Sequence, residues 1–144
     1  MKTKFLKEHI FPRPVSVGPR EWGKEDLLVL INKKLTLKKI KIKQNKKGGL
    51  QYHRKKIECG YVLKGKLKIK FDLGDGVLKT KILKKGDAFY FPQGLVHQEI
   101  ALTECEIIEA STPHFNDRVR VEKKYGFKSV KGLPTTKIKD VRYL

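Results

Sequence analysis

Four residues in the middle of the chain carry side chains that could together bind one divalent metal ion. Gln51, His53 and Glu58 lie in one segment, and His97 lies in a second segment further along the chain. Because Gln51 and His53 are two positions apart, their side chains point to the same face if this segment is a β-strand. An amide oxygen, two imidazoles and a carboxylate suit a divalent ion. We therefore expect one metal site at these residues, with zinc first and manganese, iron or nickel as alternatives.

The expected ligands limit the chemistry of the site. They contain one formal negative charge, so a bound divalent ion would keep positive charge and hold one or two positions open to water. Such an ion polarises a carbonyl group, as aldose–ketose isomerisation requires. His53, Glu58 and His97 alone also match the two-His-one-carboxylate set of Fe(II) oxygenases. A non-catalytic protein that binds a small anionic ligand or a partner is the third alternative.

Two residues near the expected ligands could take part in catalysis. An isomerase needs a base that moves a proton between adjacent carbons. Glu99 lies two residues after His97, so strand alternation would direct its carboxylate into the same cavity. The alternative is a carboxylate at a loop end that pairs with a lysine. Lys56 is the next candidate for the base.

Short apolar or alternating segments, separated by turns, must position these residues. Leu67, Ile69 and Phe71 alternate with lysines, and the following Gly74-Asp-Gly76 is typical of a hairpin turn. No segment has the pattern of an amphipathic helix. Many short strands of this kind predict an all-β domain, a small antiparallel barrel or jelly roll. The predicted strands span residues 27–31, 35–42, 67–71, 77–83, 88–91, 96–101 and 105–110.

The two ends of the chain are expected to lie outside the barrel. Pro12, Pro14 and Pro19 exclude a regular helix or a central strand in the first part of the chain. We therefore expect an N-terminal arm at residues 1–25, a barrel at 26–114 and a C-terminal tail at 115–144 that packs on or near the barrel. Trp22 would close one end of the barrel.

Composition is consistent with a single basic domain. The 144 residues are enough for one domain with a buried core, and 34 basic against 15 acidic residues give a net charge of +19. Many lysines alternate with apolar residues, as Lys66, Lys68 and Lys70 do, which is typical of the solvated face of a strand. Aromatic residues that could stack on bases are not interleaved with them. We therefore expect a small anionic or sugar-like substrate rather than nucleic acid.

The sequence also bears on location and assembly. No apolar run reaches the length of a membrane span, and no apolar stretch follows the N-terminal lysines as it would in a secretory signal. Cys59 and Cys105 form no CxxC pair, which fits a reducing compartment. We expect a cytoplasmic protein that does not bind membranes, and a homodimer in which the arm covers an exposed edge strand.

Two segments of the chain resemble the two motifs of the cupin superfamily. The first segment has the superfamily's spacing from His53 through Glu58 to Gly65, and the second has it from Gly86 to His97. The resemblance implies a single cupin domain, an antiparallel jelly roll also described as a double-stranded β-helix. It also implies that the motif residues bind a metal ion.

Two positions depart from the superfamily pattern. Gln51 stands where the first His is usual, and Ala101 stands where an Asn is usual, four residues after His97. Phosphomannose isomerases use a Gln-x-His pair with Glu and His as their metal set. The glutamine therefore points to this group within the superfamily.

The segments before and after the motifs resemble the cupin domain of type II mannose-6-phosphate isomerases. Trp22-Gly23 matches part of the lead-in, and Glu109 matches a Glu of that family. The matching tail residues are Asp117, Val119, Arg120, Glu122, Tyr125 and Gly126. Lys56 stands at an arginine of the family, which keeps the charge but loses the two-pronged grip on phosphate or carboxylate. The resemblance implies a sugar or sugar-phosphate isomerase that works through a metal-polarised carbonyl and an enediolate.

Overall fold

Alternating apolar and polar residues build two antiparallel β-sheets that pack against each other. The computed structural model describes residues 14–17, 20–31, 33–115 and 117–128. The strands in these ranges are β1 Val15–Ser16, β2 Gly23–Ile31, β3 Leu35–Ile42, β4 Gln51–His53, β5 Glu58–Lys64, β6 Lys66–Asp72, β7 Lys79–Lys84, β8 Ala88–Phe91, β9 Val96–Ala101, β10 Cys105–Ser111 and β11 Arg118–Arg120. One 3-10 helix, Glu122–Tyr125, follows the last strand.

The two sheets draw on strands from both halves of the chain. The larger sheet has the order β1-β2-β3-β10-β5-β8, and the smaller sheet has the order β11-β4-β9-β6-β7. Every pairing between neighbouring strands is antiparallel. This arrangement confirms the predicted all-β jelly roll.

Apolar side chains from both sheets meet in the core between them. β6 shows the pattern clearly, because Leu67 and Ile69 are buried while Lys66 is exposed and Lys68 is half-buried. The buried core consists of Ile40, Ile42, Val62, Leu67, Ile69, Leu83, Phe91, Ala101, Cys105 and Ile107. The lysines of β6 therefore lie on the outer face, as the alternation predicts.

The largest differences from the predicted strand boundaries are at β2 and β7. β2 begins at Gly23, four residues earlier than predicted, and its N-terminal half carries the buried residues Glu25 and Leu27. β7 begins at Lys79 rather than at residue 77, because the Val77 backbone N–H donates to the Asp75 side chain within the turn. The expected arm also contains β1, a two-residue edge strand that pairs with β2.

Part of the expected tail packs on the barrel. β11 pairs with β4, and the Val121 backbone N–H donates to the Leu50 carbonyl at 2.9 Å. The Tyr125 hydroxyl donates to Asp72 at the end of β6. The expected arm before residue 14 and the expected tail after residue 128 lie outside the described residues.

Gly65 shows why a glycine is required between β5 and β6. Its φ is +88°, in the left-handed region. A Cβ at this position would lie 2.2 Å from the carbonyl oxygen of Glu104. The tight β5–β6 turn therefore depends on the missing side chain.

Neither cysteine forms a disulfide. Cys59 is exposed on β5, and Cys105 is buried at the start of β10. In the ranges that the structure describes, no helix has the length and apolar character needed to cross a bilayer.

Candidate metal centre

Three of the four expected metal ligands converge in the cavity between the two sheets. The Nε2 atom of His97 lies 3.0 Å from Oε1 of Glu58, and the Nε2 atom of His53 lies 3.3 Å from the same oxygen. Ligand atoms of these three residues all lie within 4.8 Å of one another. All three side chains are buried. The larger sheet supplies the carboxylate, and the smaller sheet supplies both imidazoles.

Both imidazoles are oriented by acceptors on the side away from Glu58. The Nδ1–H of His97 donates to the Leu95 carbonyl at 2.9 Å, and that of His53 donates to Asp117 at 3.3 Å. A neutral imidazole that donates through Nδ1 carries its lone pair on Nε2. Both Nε2 lone pairs therefore face the carboxylate oxygen of Glu58.

Asp117 is suited to this orienting role because it is ionised. Burial alone would raise its pKa, but the backbone N–H groups of Lys55 and Lys56 donate to it and lower the pKa overall. Both of these hydrogen bonds are 2.7 Å long. An ionised carboxylate accepts but does not donate, so it fixes the protonated nitrogen of His53.

The residues present fit a divalent metal ion. With both imidazoles neutral, three atoms that carry lone pairs point at one another, an arrangement that either a proton or a metal cation between them relieves. Gln51 lies directly opposite His97 in the β4–β9 pairing, and its side-chain oxygen is buried without a hydrogen-bond partner in the part of the chain that the structure describes. Glutamine could therefore supply a fourth oxygen ligand beside the two imidazoles and the carboxylate.

Lys56 lies beside this cluster and pairs with two carboxylates. Its ammonium lies 2.5 Å from Oε2 of Glu58 and 3.6 Å from Oε1 of Glu109. Burial alone would lower its pKa, but the two carboxylates raise the pKa above its ordinary value. Conversely, burial would raise the pKa of Glu58, and the Lys56 charge holds it well below its usual range. This ion pair keeps one expected ligand ionised.

Two further carboxyl groups face the same cavity. Glu99 is on the cavity side of β9, as predicted, and its Oε1 is buried and has no hydrogen-bond partner within the described ranges. Burial, followed by the charges of Glu109 and Glu58, raises the pKa of Glu99 well above its usual range. Burial and the charge of Glu58 also raise the pKa of Glu109, to about 8. The cavity therefore contains carboxyl groups of different proton affinity.

Aromatic residues support the site. Phe91 stacks on the His97 imidazole with ring centroids 4.1 Å apart, and Phe89 packs against Phe91 with centroids 4.8 Å apart. Trp22 is half-buried, lines the cavity and packs against the core. These contacts limit the rotation of the ligand ring.

Several cavity residues were missed by the sequence analysis. Glu25 and Lys38 form a buried ion pair with a distance of 2.7 Å, and Arg20 adds a second contact to Glu25 at 3.2 Å. Alternation contained the signal for Lys38, because it shares a strand face with the apolar residues Ile40 and Ile42. Arg118 also lines the cavity, in a segment that was expected to be a tail.

The cavity that joins these groups has a volume of about 100 Å³. Metal ligands, Lys56, Glu99 and Arg118 all lie on its wall. It could therefore hold a small molecule in contact with both the carboxyl groups and the predicted metal position.

Comparison with known proteins agrees with the observed architecture. The sequence pattern of the cupin domain family matches residues 39–111, a range that contains both histidines and Glu58. No curated protein sequence matches the chain.

Solved structures with a similar fold come from several different proteins. The capsular polysaccharide assembling protein CapF from Staphylococcus aureus has a TM-score of 0.66 and 17% identity, covering 75% of this chain and 31% of that one. Oxalate decarboxylase from Bacillus subtilis has a TM-score of 0.67 and 20% identity, covering 78% of this chain and 31% of that one. KdgF from Halomonas sp. has a TM-score of 0.59 and 18% identity, covering 78% of this chain and 95% of that one.

These structural likenesses establish the fold alone. The chain spans about a third of the length of the CapF and oxalate decarboxylase chains that it matches. One fold hosts many activities, so the chemistry has to be argued from the side chains of the cavity.

Proposed function

This chain belongs to the cupin domain family, and from that premise we propose that it is a metal-dependent aldose–ketose isomerase for a small, sugar-like, anionic substrate. One observation carries the proposal. Two imidazole lone pairs, the Glu58 carboxylate and the unpartnered oxygens of Gln51 and Glu99 all face one cavity. The resemblance to type II mannose-6-phosphate isomerases supports the same reaction class.

The predicted ion would be held by Gln51, His53, Glu58 and His97. When bound, it would supply a positive charge that polarises a substrate carbonyl and stabilises negative charge on its oxygen. Zinc suits these ligands, and manganese is the other strong candidate because oxalate decarboxylase, a similar structure, has Mn(II) centres. Asp117 and the Leu95 carbonyl keep both imidazoles in the tautomer that can bind such an ion.

Glu99 is the proposed base of the reaction. Its Oε1 atom lies buried in the cavity and has no hydrogen-bond partner among the described residues. Burial and the neighbouring carboxylates raise its pKa in the metal-free protein, so it would accept a proton from a substrate carbon once the positive charge of a bound ion has lowered that pKa. The same atom can return that proton to the adjacent carbon. Isomerisation needs both steps from one side of the substrate.

Lys56 has a different proposed role. Because the carboxylates of Glu58 and Glu109 raise its pKa, it stays protonated and is a poor proton acceptor. We assign it to holding Glu58 in its ionised form and to adding positive charge to the cavity. Lys56 would thus support catalysis through charge, while Glu99 moves the proton.

An Fe(II) oxygenase is the second candidate function. It is favoured by the cluster of His53, Glu58 and His97, which is the two-His-one-carboxylate set used by such enzymes. Oxygenation would consume molecular oxygen, and isomerisation would not. The two candidates can therefore be separated by one comparison of turnover in air and under nitrogen.

The first experiment measures metal content and turnover. The protein, reconstituted with zinc, manganese, iron or nickel, should retain about one ion per chain, and His97→Ala should lose it. Turnover of sugar phosphates should be equal in air and under nitrogen. Absence of metal after every reconstitution would contradict both candidate functions, and turnover that requires oxygen would favour the oxygenase.

The second experiment tests the base. Glu99→Gln should keep the metal and the fold but lose about 10²- to 10⁴-fold in turnover, together with deuterium exchange from solvent into the substrate. Glu104→Gln is the matched control, because Glu104 is exposed and lies outside the cavity. Exchange at the wild-type rate in Glu99→Gln would assign the base to another group.

A further inference from the structure

Four cationic side chains line the cavity, and three of them are paired with carboxylates. Arg20 and Lys38 both contact Glu25, at 3.2 Å and 2.7 Å. Lys56 contacts Glu58 and is described above. The fourth is Arg118, for which the described residues supply neither an ion pair nor a hydrogen bond to its guanidinium. Arg118 is therefore the cation in this wall that is available to a ligand.

The position of Arg118 places it beside the predicted metal site. In the pairing of β11 with β4, Arg118 lies directly opposite His53. Side chains of directly opposite residues in an antiparallel pair lie on the same face, with Cβ atoms about 5 Å apart. The guanidinium of Arg118 therefore reaches the cavity from the same face as the imidazole of His53.

Its surroundings are unfavourable for an unpaired cation. Arg118 is half-buried, and burial and the charges of Arg20 and Arg120 lower the pKa of its guanidinium, which the carboxylates of Glu25 and Glu58 oppose only in part. Arg120, two residues along the same strand, avoids this cost through a hydrogen bond to Glu122 of 2.7 Å. A desolvated guanidinium next to like charges is stabilised when an anion joins it.

We propose that Arg118 is the anion-binding residue of the cavity and takes a carboxylate or phosphate group of the substrate. A guanidinium binds either group through two parallel hydrogen bonds, a geometry that a lysine cannot reproduce. The reacting end of the substrate would then lie toward Glu99 and the predicted metal position. This orientation, though not the binding of the anion, rests on the proposed isomerase function.

The proposal also explains a substitution noted in the sequence. Lys56 stands where type II isomerases carry an arginine, but its ammonium is already held by Glu58 and Glu109. The Lys56 ammonium therefore cannot form a two-pronged contact with an anion. Arg118 supplies the planar group that Lys56 lacks, from β11 of the smaller sheet, whereas Lys56 lies in the loop between β4 and β5.

Trp22 provides a local signal for testing this inference. It is the single tryptophan of the chain and lines the same cavity as Arg118. Inorganic phosphate and acetate would each be titrated at low ionic strength against metal-loaded and metal-free protein, with Trp22 fluorescence as the readout. The variants are Arg118→Gln and Arg118→Lys, and the control is Lys81→Gln. Lys81 is exposed on β7 outside the cavity, so this control removes one positive charge without touching the wall.

Wild-type protein and Lys81→Gln should bind at least one of the two anions saturably, with or without metal. Arg118→Gln should weaken that binding about 10- to 100-fold, and the affinity of Arg118→Lys should lie between those of the wild type and Arg118→Gln. The anion that binds shows which group the site takes: phosphate indicates a phosphate group, and acetate indicates a carboxylate. Metal content and thermal unfolding of each variant verify that the site is otherwise intact.

Two results of the titration would overturn the assignment: saturable binding that Arg118→Gln leaves within about twofold of wild type, or no binding by the wild type. Arg118-dependent binding in a protein that holds no metal would instead support the anion site while contradicting the isomerase. Turnover that survives in Arg118→Gln with an unchanged KM would support the isomerase and contradict the anion site.

Discussion

At the scale of single residues, the site is defined by the direction in which hydrogen bonds point. The Leu95 carbonyl and Asp117 accept from the Nδ1 atoms of the two histidines, so both Nε2 lone pairs face Glu58. Ligand identity alone would not give this result, because an imidazole donating through Nε2 could not bind a metal through that atom. The groups behind the ligands are therefore expected to contribute to the affinity of the site.

Asp117→Asn should weaken metal binding by about 10- to 100-fold while the protein stays folded. An amide can present its NH₂ group to Nδ1 of His53, which moves the proton of that ring to Nε2 and blocks the metal-binding lone pair. Competition with a chelator of known affinity measures the change. Asp75→Asn is the control, because Asp75 is in the exposed turn after β6 and pairs with Lys79. Equal affinities in the two variants would contradict the orienting role.

The raised pKa of Glu109 predicts a pH-dependent stability of the metal-free protein. Its pKa is about 8 in the fold against an ordinary value of 4.5, so between these values the folded state binds more protons than the unfolded state. The contribution of Glu109 to stability should therefore be greatest below pH 4.5 and should be lost as the pH rises to about 8. Glu109→Gln removes this contribution and should flatten the decline.

Urea unfolding at several pH values provides the measurement. The flattening should be partial, because Glu99 also has a raised pKa and contributes with the same sign. Glu104→Gln should keep the wild-type slope, since Glu104 is an exposed residue. A slope in Glu109→Gln as steep as in wild type would show that Glu109 is ionised in the folded protein.

At the scale of strands and turns, the motif glycines serve the geometry of the turns. Gly65→Ala should destabilise the fold more than Gly76→Ala, although both residues have positive φ, +88° and +79°. A left-handed backbone costs alanine about 1–2 kcal/mol at either position. At Gly65 the new Cβ would also lie 2.2 Å from the Glu104 carbonyl oxygen, whereas at Gly76 it meets nothing within 4 Å.

The steric conflict at Gly65 should add about 1–3 kcal/mol to the loss of stability. Chemical denaturation of both variants, under identical conditions, gives the difference in the free energy of unfolding. Equal losses would mean that the β5–β6 turn can shift to accommodate a side chain, and that the conformation alone requires this glycine.

Strand alternation allowed part of the site to be predicted. It placed Gln51 and His53 on one face, and Glu99 on the cavity side of the strand that carries His97. The spacing of the cupin motifs predicted that Glu58 would join them. Each of these predictions uses either the alternation of side chains along one strand or the spacing of a known motif. Both can be recognised from residues that are close together in the sequence.

The remaining contacts of the cavity could not be predicted because they depend on tertiary pairing. The ion pair between Glu25 and Lys38 requires the register of β2 against β3, and both residues are charged in strands that otherwise bury apolar side chains. Arg118 enters the cavity only because β11 adds to the edge of the smaller sheet. A three-residue strand gives no periodic signal of its own.

At the scale of the whole molecule, basic residues divide into two groups. Lysines such as Lys66 and Lys81 are exposed on outer strand faces, where they contribute to the net charge of +19. Lys38 and Lys56 instead lie in the wall of the cavity and are paired with carboxylates. We expect the outer charge to attract small anions, and the proposed role of Arg118 is to bind them within the cavity.

The homodimer expected from the sequence stays a prediction. β8 is an edge strand of the larger sheet, and Tyr90 on this strand is 59% exposed. Light scattering after size-exclusion chromatography should give twice the chain mass of 16.7 kDa. Tyr90→Lys should shift the mass toward the monomer, because a charge on the edge strand opposes pairing. A monomeric mass at every concentration would contradict this prediction.

The hydrogen bond between His53 and Asp117 joins residues 64 positions apart, and this separation has a consequence for the order of folding. Contacts between distant residues form late, because closing a long loop lowers chain entropy before the contact stabilises anything. All four predicted ligands leave the ribosome before Asp117 does. We therefore expect a newly made chain to acquire its full metal affinity only after β11 has docked, so that metal capture marks the completion of folding.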